Sequence, residues 1–294
     1  MIKKSAFSML ELVFVIVVIG ILSKFGVELM AGAYQNFLFT KINNKLQNQS
    51  ATAVEFIAKR LSYRINDSVI AKKADDTFVG IQSIVPGDQY LVLEWVSRDI
   101  DGWRGNTQPF WSGIADLDVS SNAFINTPMT NDTNVTDLIK ILSYGDSDIS
   151  DAAIYFIGSN SDITTGYGWD GTAITAANRL SASMHPITGS AVNQLDGNFS
   201  DVTLYEYYQL AWSANAVYLE ADGKGNNTYD LVFYYDYQPW NGEKYNDNGV
   251  KSSVIMQNVS TFQFRAVGSM VKIQVCVESN LAEEHSLCKE KTIF

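Results

Sequence analysis

The chain has 294 residues, 46% of them hydrophobic and 18% charged, and its mean hydropathy is near zero. So apolar a chain can bury a core, which excludes a disordered acidic tail. A formal charge of −11 argues against nucleic acid as a partner, and two histidines with two cysteines (His185, His285, Cys276, Cys288) are too few for a His/Cys zinc cluster.

The apolar character is concentrated at the N-terminus. Lys3, Lys4, Ser5 and Ala6 precede Phe7-Ser8-Met9-Leu10-Glu11-Leu12, and the run stays apolar to Leu22, with Gly20 inside it. Residues 7–23 are near the shortest length that spans a membrane, and Phe25, Val27, Leu29 and Met30 extend it. The two lysines predict a cytoplasmic N-terminus and an exported remainder. A cleaved secretory signal is the competing reading, but Leu22-Ser23-Lys24-Phe25-Gly26 is a poor cleavage site. Glu11 is the one charge within the run. A charged side chain at mid-helix costs roughly 2.5–3.5 kcal/mol on insertion scales. Either Glu11 sits at the interface, or it meets a positive group inside an assembly.

These residues resemble the N-terminus of the type IV prepilin family, which includes the pseudopilins of type II secretion. The shared features are the basic leader, the Phe, the Glu four residues after it, and the apolar run. The resemblance implies a leader at residues 1–6, removed by a prepilin peptidase between Ala6 and Phe7, and N-methylation of Phe7. It implies that Glu11, then the fifth residue, neutralises the terminal amine of a neighbouring subunit. The family's usual Gly is Ala6 here, and the proline often found at the position of Glu28 is absent. The implied partners are the peptidase, other pilin or pseudopilin subunits, an inner-membrane assembly platform and membrane lipid. The implied location is the inner membrane with a periplasmic C-terminal domain, then a pilus or pseudopilus.

Beyond the membrane segment at residues 7–30, the chain to residue 67 predicts an amphipathic continuation of the same helix. Val54, Ile57, Ala58, Leu61 and Ile65 recur at spacings of three and four, and Lys24–Glu28 and Glu55–Lys59 are i,i+4 pairs. A helix over residues 7–66 would extend roughly 90 Å. Two helices broken in the polar stretch 43–50 are the alternative.

Residues 68–294 predict a β-rich domain. Strand patterns occupy 90–96, 153–157, 202–210, 216–220, 229–235, 254–256, 261–267 and 270–277, with a last strand over 289–294. A turn cluster at 222–227 makes a hairpin of 216–220 and 229–235. Polar stretches at 97–137 and 158–200 read as long insertions, the second with a helix over 173–180. The fold class expected is therefore α+β: a long N-terminal helix, membrane-spanning in its first half, packed on an antiparallel sheet.

Candidate sites in this domain are few. Outside the cytoplasm Cys276 and Cys288 can form a disulfide, worth roughly 3 kcal/mol; two free thiols are the alternative. Pilins often close a C-terminal loop this way. Acidic clusters lie at 146–151, 222–230 and 246–248. Asp146, Asp148 and Asp151 have calcium-loop spacing but not the full helix-loop-helix pattern, and solvated turns are the competing reading. No other cofactor is expected. Neither histidine has a Ser or Cys neighbour that suggests a nucleophile-base pair, so no enzyme is expected. Trp95, Trp212 and Trp240 fall at or near strand positions and predict core. Trp103, Trp111 and Trp169 lie in the polar insertions and predict a surface. The function expected is a minor pilin or pseudopilin at a fibre tip or primer position, with a pilus-borne adhesive or DNA-uptake module, or a non-assembling single-pass protein, as alternatives.

Overall fold

The computed structural model describes residues 8–159, 161–223, 228–278 and 286–294. One helix, α1 (Met9–Leu61), runs unbroken for 53 residues, about 80 Å at 1.5 Å per residue. It does not break in the polar stretch. Leu46 and Ser50 turn inward one turn apart while Lys45, Gln47 and Asn48 face out. The hydroxyls of Thr40, Ser50 and Thr52 donate to carbonyls one turn back, so these side chains do not compete with the helix. Leu46, Ala53, Val54, Ile57, Ala58 and Leu61 form its buried stripe; Val54 to Leu61 follow the predicted spacing, while Ile65 lies past the helix end and packs in another cluster.

The helix ends at Leu61 rather than near residue 66. Buried Arg64 gives Nη1 to the carbonyls of Leu61 (3.0 Å) and Phe294 (3.2 Å), and Nη2 to the carbonyl of Ser269 (3.3 Å). A cation at the carbonyl end of a helix is favourable, and this one also ties the helix to the C-terminal strands. Lys24 and Glu28 pair at 4.0 Å as expected; Glu55 instead reaches Lys291 on the last strand.

Beyond the helix the elements are β1 (Ile70–Lys72), β2 (Phe78–Gly80), β3 (Val92–Ser97), α2 (Ile100–Arg104), β4 (Asp116–Ser121), β5 (Phe124–Asn126), α3 (Asp132–Leu142) and β6 (Ala153–Phe156). Then come β7 (Met184–Ala191), β8 (Gln194–Gly197), β9 (Tyr208–Ala211), β10 (Ser213–Ala221), β11 (Tyr229–Tyr237), β12 (Lys251–Val267), β13 (Met270–Glu278) and β14 (Ser286–Ile293). They build two antiparallel sheets. The larger runs β14-β13-β12-β11-β10-β3-β1-β2, and the smaller β4-β5-β8-β7-β6-β9.

The pleat sorts the core into three clusters. Leu93, Trp95, Val217 and Phe233 point from the large sheet to the stripe of α1. Val92, Val96, Ala216 and Tyr237 point the other way, where Ala153 and Tyr155 of β6 and Met184 of β7 meet them. Ile154 and Phe156, on the opposite face of β6, pack with Leu210, Val135 and Ile139 of α3. The layers therefore run α1, large sheet, small sheet, α3. Lys72 and Glu94 form an ion pair of 2.8 Å inside the second cluster, and Tyr237 donates its hydroxyl to Glu94 at 2.8 Å.

Several expectations are corrected. The polar insertions are not loops: they supply β4, β5, β7 and β8, which join β6 and β9 in the small sheet, and α3 packs on it. Residues 173–180 form turns, because the Asn178 side chain bonds the Thr175 amide and the Ala173 carbonyl; only Arg179–Ser181 makes a short 3-10 turn. The strand over 202–210 begins only at Tyr208, since the Val202 amide turns back to the Phe199 carbonyl. The segments 254–256 and 261–267 are one 17-residue strand. The hairpin of β10 and β11 forms, although residues 224–227 of its turn cluster lie outside the described residues.

Cys276 and Cys288 sit directly opposite each other on β13 and β14 and are bonded. The bond pins the edge strand β14, whose Ile293 joins the α1 cluster. Replacing both cysteines by serine lowers the unfolding free energy by about 3 kcal/mol in denaturant titration. A loss below about 0.5 kcal/mol would mean that contacts with α1 and β13 hold β14 unaided.

Candidate functional site

The N-terminal half of α1 touches nothing else in the fold. It is long and apolar enough to cross a membrane, and its apolar side chains from Met9 to Phe37 are almost all exposed. Met9 to Met30 covers about 33 Å, which already matches a hydrocarbon core of roughly 30 Å. Yet Tyr34 and Phe37, a further turn or two along, are still 62% and 61% exposed. The bare apolar surface thus runs past the length of a hydrocarbon core before Leu46 docks on the domain.

Glu11 lies in the first turn of this helix. Ser8 is the N-cap: its Oγ accepts from the Glu11 amide (3.3 Å), while Glu11 Oε2 accepts from the Ser8 amide (3.0 Å) and hydroxyl (3.1 Å). This reciprocal box satisfies two of the free amides at the helix start and places a carboxylate at its positive end. The carboxylate has hydrogen bonds, but among the described residues no cation pairs with it. Ala6 and Phe7, expected to flank a cleavage point, lie outside the described residues, as does His285.

The acidic trio does not converge. Asp146 turns to Lys251 (2.8 Å). Asp148 caps a short turn through the Ser150 amide, and Asp151 accepts the Asp148 amide, both at 2.8 Å. Among the described residues no group of three or more His, Cys, Asp or Glu could hold a metal ion. Asp247, in the 246–248 cluster, accepts the Lys244 amide in a turn. The expected surface tryptophans divide. Trp103 is 40% exposed, but Trp111 and Trp169 are only 2% exposed and belong to the core, because the insertions that carry them fold into the layers.

Two buried titratable groups set opposite pH dependences. His185 lies against Phe156 and Phe199, and burial pushes its pKa down to about 4. Burial pushes the Asp99 carboxyl up to about 6, against the hydrogen bonds of the Gly102 amide and the Trp111 indole. Folded, His185 binds fewer protons than in the unfolded chain, so its contribution is complete above about pH 6.5 and lost as pH falls toward 4. Folded, Asp99 binds more, so its contribution is complete below about pH 3.8 and lost as pH rises through 6.

No family model, curated protein or solved structure matches the chain.

In denaturant titrations from pH 6.5 to pH 4, His185→Gln reduces the acid loss of stability and Asp99→Asn increases it. Slopes unchanged in both variants would contradict the assignment.

Proposed function

We propose that the chain is a minor subunit of a type IV pilus or type II secretion pseudopilus, held in the inner membrane by α1 and joined to its neighbours through the same helix. The observation that carries this reading is the length of bare apolar helix. A protein that only anchors itself needs apolar cover over a hydrocarbon core of roughly 30 Å, whereas Tyr34 and Phe37 lie past that length of helix. Helices of neighbouring subunits supply that cover along the whole length.

Glu11 supports the same reading. A carboxylate moved from a membrane surface into a helix bundle is costly unless a cation meets it. After cleavage between Ala6 and Phe7, the new terminal amine of an adjacent subunit is such a cation. The Ser8 box holds Glu11 at the end of the helix, within reach of a terminus of the same register. The four-layer domain at the other end of the rod is bulky, and bulk is easier to place at a tip than in a closely packed shaft.

Glu11→Ala and Glu11→Gln lower the amount of subunit in the filament or pseudopilus fraction at least tenfold, with the membrane level unchanged. Wild-type incorporation of both variants would remove the assembly role. Intact-mass measurement of the mature chain gives an N-methylated Phe7 terminus; a chain retaining Met1 in the assembled fraction would remove the processing step.

A further inference from the structure

A cavity of about 280 Å³ opens between the end of α1 and the large sheet, where β3 ends and β10 begins. Aromatic rings form its walls. Phe56 meets Phe233 edge-on at 5.1 Å, Phe233 stacks on Tyr235 at 5.7 Å, and Tyr63 and Trp212 complete the lining.

Two arginines face this aromatic space. The Arg60 guanidinium lies over the rings of Phe56 and Phe233, at 5.6 and 5.8 Å. Arg98 is fixed by its backbone amide to the Tyr63 carbonyl (3.0 Å), while its Nε is buried with no hydrogen-bond partner. Among the described residues neither guanidinium has a carboxylate within ion-pair distance, in a chain with 32 Asp and Glu. Asp99 and Asp101 also line the cavity. The Asp99 oxygens are taken by the Gly102 amide and the Trp111 indole, and Asp101 is exposed on α2.

Ser97 adds a donor. Its Oγ accepts from Asn215 Nδ2 (2.5 Å) and from Trp95 Nε1 (3.1 Å), which leaves the hydroxyl proton for a third partner. A carboxylate is the planar acceptor that fits a guanidinium fork. Aromatic walls suit a flat apolar body, and the volume is near the lower end of small-ligand pockets.

We propose that this cavity binds a small carboxylate carrying a flat apolar group, with Arg98 and Arg60 on the carboxylate and the rings around the body. The source is either a free aromatic acid or the terminal carboxylate of a peptide ending in an aromatic residue. The site rests on the cavity alone and stands whether or not the chain assembles.

Calorimetric titration of the full chain in detergent micelles tests it with benzoate, benzamide and N-acetylphenylalanine. Benzoate binds saturably and at least tenfold tighter than benzamide. N-acetylphenylalanine tighter than benzoate by tenfold or more marks the peptide source, and comparable binding marks the free acid. Arg98→Gln weakens benzoate at least tenfold. Ser253→Trp, a change at an exposed residue of the rim, does the same without touching the core, and it decides alone if Arg98→Gln melts early. The proposal is overturned if acid and amide bind equally, if no probe binds, or if folded variants bind benzoate as the parent does.

Discussion

An apolar helix that outruns its own domain has to be covered by something else, and α1 is such a helix. Only its last few turns are buried by the large sheet, through Leu46, Ala53, Val54, Ile57, Ala58 and Leu61. Each large aliphatic side chain of that stripe contributes roughly 1.5–3 kcal/mol by burial. The first half makes no such contact and so contributes nothing to the fold by its own packing. The molecule is therefore a folded domain with a rod whose stabilisation lies outside it, and a hydrocarbon core of roughly 30 Å matches only the first part of that rod.

The domain is organised to hold the docked end of the rod. Arg64 ties the terminal carbonyls of α1 to the backbone at Ser269 and Phe294, and the disulfide fixes β14 against β13 beneath it. The large sheet faces α1 on one side and the small sheet on the other, with Leu93 and Trp95 of β3 turned to the helix and their neighbours Val92 and Val96 turned to the small sheet. The aromatic cavity sits at this same junction, between the last turns of α1 and the start of β10. Its lining joins Phe56 and Arg60 of the helix to Ser97 of β3, Ser213 of β10 and Tyr235 of β11.

Much of this was legible in the sequence where one periodicity ran long enough. The stripe from Val54 to Leu61 gave the docked face of α1, and alternation in residues 262–275 gave the β12–β13 pair. Of the small sheet, β6 and the end of the 202–210 pattern that forms β9 were legible, whereas β4, β5, β7 and β8 were not: β4 is mostly Asp and Ser, β5 and β8 are short, and these three bury few side chains. Helix α3 did carry a signal: Asn131 is its N-cap, and Val135, Leu138, Ile139 and Leu142 follow at helical spacing. Trp111 and Trp169 read as surface residues because their immediate neighbours are polar, whereas their burial comes from strands far away in the chain. The arginine-lined cavity had no sequence signal at all. Arg60, Arg98 and Phe233 are brought together only by the packing of α1 on β3 and β11. Glu11 stood out from sequence, and the Ser8 box around it was legible only in part, since Ser and Glu three residues apart recur by chance.

The central claim is that protein, not only lipid, covers the bare half of α1. Photo-cross-linking from a benzophenone amino acid placed at Phe37, in cells that express the full chain, tests this most directly. The account predicts cross-links to the N-terminal helices of neighbouring subunits from Phe37, a position past the length of a hydrocarbon core measured from Met9. Cross-links to lipid alone, or none, would contradict it and leave α1 a simple membrane anchor.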